Sequence, residues 1–275
     1  MKRCITLILV ITILIPFAAI ADQDILVSGS QQAYDNIEVL GSNILHHEAE
    51  NGNRIYIYYI LKNTGNRPIA VDNNHCSILF YDNNGRQYYE YKGGYYGTTD
   101  PSVNYYYMGF WPYYIEPGQC FYLITTIWGN SDKPTDKEAY QQICKAANYR
   151  LNITLVPWFD PNELYKYTHP NLSVSGKYKL HTEVYSSGKN ETMMELTMRI
   201  TNNTSQFVED AEVVCIIKDD NGNPVAMARK TYYDVNLGTH QSKEITEDYM
   251  FFEELDFLTK YDFDIKNVEL VAFVY

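Results

Sequence analysis

The sequence predicts an all-β protein made of two tandem β-sandwich domains, with a short helix packed on the first. Three observations carry that prediction. Apolar residues alternate with period two through most of the chain, the pattern of strands with one buried face. The alternating runs end in Asx- and Gly-rich turns, which supply the left-handed backbone positions of tight β-turns. The same order of strands and turns then occurs twice.

The clearest alternation is Met194, Leu196, Met198 and Ile200 against Glu195, Thr197, Arg199 and Thr201. Its earlier counterpart is Ile55, Ile57, Tyr59 and Leu61, where Tyr56, Tyr58 and Ile60 make the opposite face apolar as well. Both strands run into Asn-rich turns, Asn63-Thr64-Gly65-Asn66 and Asn202-Asn203-Thr204-Ser205. Each turn leads to a strand closed by a hairpin signal, Asp82-Asn83-Asn84-Gly85 and Asp219-Asp220-Asn221-Gly222. Ile115-Glu116-Pro117-Gly118 before the strand Phe121 to Trp128 aligns loosely with Val235-Asn236-Leu237-Gly238 before Ser242 to Tyr249. Closing strands follow at Arg150 to Val156 and Val268 to Tyr275. The domains are therefore expected at 22–158 and 172–275, with 159–171, which holds Pro161 and Pro170, as a linker.

One segment departs from β periodicity. Thr135 and Glu138 form a capping box, and Tyr140, Ile143, Cys144 and Ala147 recur at helical spacing, so a helix is expected over Thr135 to Asn148. A counterpart in the second domain is expected near Phe251 to Thr259.

Composition sets the outer bounds. The 275 residues are 45% hydrophobic and 20% charged, enough to build a core and too apolar for a disordered acidic chain. A net charge of −12 argues against nucleic acid as a partner, because phosphate binding needs a basic surface. The start has the layout of a signal peptide: Met1-Lys2-Arg3 is basic, Ile5 to Ile20 is apolar, and Ala19 and Ala21 are small. Residues 1–21 are read as cleaved, making the protein exported, either periplasmic or at the cell surface; an uncleaved anchor is the alternative, opposed by Pro16. No later stretch is long and apolar enough to span a bilayer as a helix.

At Ile78 to Asp82 and Cys215 to Asp219, each ahead of Asn-Gly, the chain resembles the FxLYD-like extracellular immunoglobulin-like domains of exported bacterial and archaeal proteins. Their signature is Phe-x-Leu-Tyr-Asp after an Asn-containing turn and before a Pro-Gly turn. The first copy matches at Tyr81 and Asp82 and conservatively at Ile78 and Phe80; the second keeps only Asp219. The resemblance covers about half of each domain. It implies an immunoglobulin-like β-sandwich accessory module with no catalytic residues to carry over.

The reactive residue types give no enzyme signature. There is no G-x-S-x-G elbow, P-loop, dinucleotide fingerprint, C-x-x-C or helical His pair, so no enzymatic activity, cofactor or metal is expected. Asp82-Asn83-Asn84 and Asp219-Asp220-Asn221 have the oxygen chemistry of a Ca²⁺ site, but hairpin geometry accounts for them without an ion. Beyond the leader stand Cys76, Cys120, Cys144 and Cys215. Cys215 aligns with core-facing Ile78 and reads as a buried free thiol, while Cys76 and Cys120 are the expected disulfide, with Cys144 competing for either partner.

Tyrosine is the anomaly, 27 in the chain. Counted from Gly85 to Gly118 against Gly222 to Gly238, the first domain carries 17 additional residues, and the segment around them concentrates aromatic rings. Candidate binding residues are Tyr95, Tyr96, Tyr105, Tyr106, Tyr107, Phe110, Trp111, Tyr113 and Tyr114, since tyrosine pairs a flat apolar ring with a polar tip and orders at little entropic cost. Three readings stay open for them: local packing in further strands, protein or self-association, and carbohydrate stacking. The expected function is a non-catalytic exported module that presents this edge to an unidentified protein, glycan or surface polymer. The alternatives are a structural component of an envelope assembly and a carbohydrate-binding module. An outer-membrane barrel is disfavoured, because Asn267 and Glu269 break the lipid-facing alternation.

Overall fold

A computed structural model of the chain describes residues 25–28, 36–47, 53–97, 104–112, 114–130, 134–156, 170–184, 190–247 and 267–275. The leader, the helix expected near Phe251 to Thr259 and most of the expected linker lie outside the described residues. No helix among the described residues is long and apolar enough to cross a membrane.

The first half contains β1 (Ile25–Ser28), β2 (Ile37–His47), β3 (Arg54–Asn63), β4 (Ile69–Ala70), β5 (Ser77–Tyr81), β6 (Gln87–Tyr91) and β7 (Gly94–Gly97). It continues with β8 (Asn104–Tyr107), β9 (Phe110–Trp111), β10 (Tyr114–Ile115), β11 (Cys120–Trp128), α1 (Pro134–Ile143) and β12 (Asn148–Thr154). The second half holds β13 (Asn171–Val184), β14 (Asn190–Thr201), β15 (Ala211–Lys218), β16 (Pro224–Tyr232), β17 (Ser242–Glu247) and β18 (Asn267–Val274). The fold is all-β, as the period-two pattern requires.

In the first half the sheet β2-β3-β11-β9 faces the sheet β1-β12-β5-β6. Ile55, Ile57, Tyr59, Leu61, Phe121 and Leu123 from one sheet meet Ile78, Phe80, Leu151 and Ile153 from the other in a single core. The pairing β13-β14-β17 repeats β2-β3-β11, and β18-β15-β16 repeats β12-β5-β6. β13 connects its two sheets, since Asn171 and Leu172 pair with β18 before Ser173 to Val184 pair with β14. A strand that changes partner in this way turns the corner of a sandwich. Asn171, read as the end of the linker, therefore opens a strand.

The turns repeat atom for atom. Asp82 Oδ1 accepts the backbone N–H of Asn84 and of Arg86, each at 2.9 Å. Asp219 Oδ1 accepts those of Asn221 and Asn223 at 2.9 and 2.8 Å. Gly85 and Gly222 supply the positive φ of 74° and 86° that each hairpin needs. A second device joins the Asn turn to the turn before the next strand. The fully buried Asn63 donates through Nδ2 to Arg67 O and Ile115 O at 2.8 and 3.1 Å. Asn202, equally buried, donates to Gln206 O and Leu237 O at 2.7 and 3.0 Å.

These bonds shift the expected alignment of the later turn by two residues. Gly118 N–H donates to Asn63 O, and His240 N–H donates to Asn202 O. Gly118 therefore corresponds to His240, whose φ of 62° takes the glycine's place, and Ile115 corresponds to Leu237. Gly85 to Gly118 spans 33 positions and Gly222 to His240 spans 18, so the insertion is 15 residues rather than 17.

Two further expectations are corrected. α1 ends at Ile143, because Ala147 N–H already bonds Tyr81 O at 2.9 Å and the chain re-enters the sheet at Asn148. The helix buries Ala139 and Ile143 with Tyr140 beside them, and Cys144 is exposed. The expected Cys76–Cys120 disulfide does not form: all four described cysteines are free. Cys76 is enclosed in the first core, where Thr154 N–H donates to its sulfur at 3.3 Å. Cys120 belongs with Tyr122 and Ile124 to the opposite face of its sheet, so the two thiols lie on different sides of one layer.

That opposite face is covered by the second half. Leu45, Tyr56, Tyr58, Ile60, Trp111 and Tyr122 form one buried cluster with Val214, Ile216, Val225, Met227 and Phe273. β3 is thus buried on both faces, which explains its two-sided apolar pattern. Gly41 allows the halves to close: a Cβ there would stand 3.0 Å from Gly222 O and 3.2 Å from Pro224 Cδ.

Replacing either buried asparagine by alanine takes the side-chain donor away from one buried and one part-buried backbone carbonyl. Asn63→Ala and Asn202→Ala are each expected to lower the unfolding free energy by roughly 2–3 kcal/mol. Urea denaturation of the two variants checks this, and a loss under ~0.5 kcal/mol in both would remove the clamp from the account.

Candidate functional site

The insertion begins where β6 ends and returns at Met108, both ends being fixed. Tyr91 and Met108 are buried in the first core. Met108 N–H donates to Asn73 O at 3.3 Å, and Asn73 Nδ2 donates to Phe110 O at 3.3 Å. Between these anchors β7 and β8 pair as an antiparallel ribbon that has no counterpart in the second half's described residues. Its register sets Tyr95 against Tyr106, Tyr96 against Tyr105 and Gly94 against Tyr107. Five of the nine candidate residues therefore share one two-stranded element. Tyr113 lies outside the described residues, and Tyr114 is half-buried in β10, where it pairs with Ala70.

Phe110 and Trp111 are not part of an exposed loop. They form β9, pairing with Leu123 and Tyr122 of β11, and alternation sends their rings to opposite sides of the sheet. Phe110 enters the first core, with its ring centroid 6.2 Å from that of Phe121. Trp111 enters the seam between the halves. The sequence reading missed this because a two-residue strand is too short to show a period.

At the seam Trp111 meets residues that alternation alone did not single out. Its ring stacks on Tyr275, centroids 5.8 Å apart, and Tyr275 meets Tyr233 edge-on at 6.2 Å. The Arg229 guanidinium lies 4.4 Å from the Trp111 centroid, and its Nε approaches Glu212 Oε1 to 2.9 Å. Glu212 is fully buried, whereas Tyr233 and Tyr275 are 66% and 48% exposed. The result is an aromatic ledge, open on the Tyr233 side and closed on the Trp111 side. A carboxylate–guanidinium pair lies beneath it. Burial pushes the Glu212 carboxyl up to about 7, with Arg229 and the Trp111 indole pulling in the other direction.

No group of three or more His, Cys, Asp or Glu side chains suited to a metal ion occurs among the described residues. In the Asx hairpin, backbone N–H groups of Arg86 and Asn84 hold the Asp82 carboxyl below its ordinary value. No family model matches this chain, and no curated protein matches it at a significant level.

The raised Glu212 carboxyl has a definite pH consequence. Between its unfolded value near 4.5 and its folded value near 7, the folded protein holds a proton that the unfolded chain has lost. The stability owed to this group is full below about pH 4.5 and is lost as pH rises to about 7, on the order of 3 kcal/mol in all. Glu212→Gln should remove that slope. Denaturant titrations of both proteins from pH 4.5 to 8 measure it, and parallel curves would contradict the assignment.

Proposed function

We propose that the protein is a non-catalytic, exported binding module, built on two immunoglobulin-like sandwiches, that presents the β7–β8 ribbon, and separately the aromatic ledge, to a protein or a surface polymer. One observation carries this reading. Five of the 27 tyrosines fall in a ribbon that has no counterpart among the described residues of the repeated half, held at both ends by buried residues and hydrogen bonds. A rigid base of this kind lowers the entropic cost of binding through the ribbon. Tyr233 and Tyr275, both exposed and in edge-on contact, give the second half an aromatic surface of its own.

Carbohydrate is the second reading. Tyr275 offers a flat, half-exposed ring backed by Trp111, which in turn carries the Arg229 guanidinium over its own ring. A pyranose takes that combination of apolar face and polar rim. The export assignment rests on the basic and apolar leader, and the sandwich assignment on the duplicated strand order and Asx hairpins.

Replacing Tyr95, Tyr96, Tyr105 and Tyr106 together by serine should weaken binding to envelope polymers, or to itself in sedimentation, by about tenfold or more. The melting temperature should stay within a few degrees. Trp111→Ala is the contrasting variant, expected to cost about 3 kcal/mol because it empties the seam. A serine variant that fails to fold would show that the ribbon serves packing. A variant that folds and binds like the parent would move recognition elsewhere.

A further inference from the structure

The cysteines divide sharply by environment. Cys76 and Cys215 are buried, and burial pushes both thiols up to about 12. Cys120 lies half-buried at the seam and is also raised, by burial first and then by Glu269. Cys144 alone of the four is exposed, in the turn that ends α1. Its Sγ lies 3.6 Å from Nδ1 of His46, a residue 98 positions away that sits near the end of β2. His46 is exposed and its neighbour His47 is buried against Tyr56, as alternation along a strand requires. The two residues come from different elements and meet at one corner of the first sandwich.

We propose that Cys144 and His46 form a nucleophile–base pair whose role is thiol–disulfide exchange, making Cys144 a covalent attachment site in an oxidising compartment. A thiol paired with an imidazole that can take its proton reacts as the thiolate, the species that attacks disulfides. The Cys144 proton passes to His46 Nδ1, and the sulfur attacks one sulfur of a disulfide R–S–S–R. A new S–S bond forms as the old one breaks, and the leaving thiolate takes the proton from the imidazolium. One thiol and one disulfide give one mixed disulfide and one thiol, with no outside oxidant. Carbonyl groups at a helix C-terminus disfavour a negative charge nearby, so the imidazole acts against a field that opposes the thiolate. Tyr88 frames the same corner, its hydroxyl donating to Gln142 O at 2.8 Å.

The test is the rate of disulfide exchange on the whole folded chain, using 5,5′-dithiobis(2-nitrobenzoate) and oxidised glutathione, with peptide mass analysis to locate the product. At pH 6.5 Cys144 is expected to react about fivefold or more faster than the glutathione thiol, of which only about one part in a hundred is ionised at that pH. His46→Gln should lower that rate about fivefold or more and move its pH midpoint upward, with the melting temperature unchanged. Cys144→Ser should abolish the product. The proposal is overturned if His46→Gln leaves rate and pH profile as they were, or if wild-type Cys144 reacts no faster than glutathione.

Discussion

The structure depends on a strand with no solvent face. β3 sends Ile55, Ile57, Tyr59 and Leu61 into the first core and Tyr56, Tyr58 and Ile60 into the seam with the second half. Burial on both sides costs a strand its polar alternation, and here tyrosine replaces it. Tyr56 and Tyr58 stack at 6.0 Å and 10°, and the Tyr58 hydroxyl meets the Met227 backbone on the facing half. β15 answers with Val213, Val214, Cys215, Ile216 and Ile217, all fully buried. Four β layers thus stand in sequence, with the two inner ones sharing a buried apolar interface. Polar contacts also cross it, among them Gln119 Nε2 donating to Asn171 Oδ1 at 3.0 Å. Hydrophobic burial of this kind is cooperative, because neither inner sheet can expose its seam face without a large apolar area meeting water.

Against that frame the duplicated turns have a clear physical purpose. A sandwich needs its sheets joined by loops that cross buried ends, where backbone groups have no water. Asn63 and Asn202 meet the need in the same way, each amide bonding two carbonyls while its Oδ1 accepts the N–H of Gly65 or Thr204. At neighbouring positions of the same turns the residue types differ. Arg86 is matched by Asn223 and Gly118 by His240, since only the backbone of those positions enters the network. The same side chain stands where the side chain itself forms the bond.

Much of this was legible in the sequence. Period-two alternation, the Asx-Gly hairpins and the Asn turns marked the strands and their duplication, because each is a local pattern with a local cause. The pairing of Ile78 with Cys215 follows from the shared hairpin and holds: both are fully buried. What the sequence left unread was every feature that depends on contact between distant segments. The apolar second face of β3 was visible, but not the half that covers it. Trp111 read as a surface aromatic because its strand is two residues long. Cys76 and Cys120 read as partners because each opens a strand, and strand order says nothing about which face a thiol takes. Cys144 and His46 stand 98 positions apart, beyond any periodicity, and only the return of the chain after α1 brings them together.

The insertion therefore cannot be treated as a passive ornament on the first half. Its return strand supplies Phe110 to one core and Trp111 to the seam, so it contributes to folding as well as to surface. Among the described residues the ribbon pairs with no strand beyond its own two. A segment whose ends are structural and whose middle is a self-paired ribbon can vary in the middle without loosening the ends. The same arrangement sets where a ligand's influence would go. A group pressing on the ledge at Tyr275 bears on Trp111, and Trp111 bears on Arg229 and the buried Glu212. Trp111 thus joins the exposed Tyr275 ring to the buried Glu212–Arg229 pair through direct contacts.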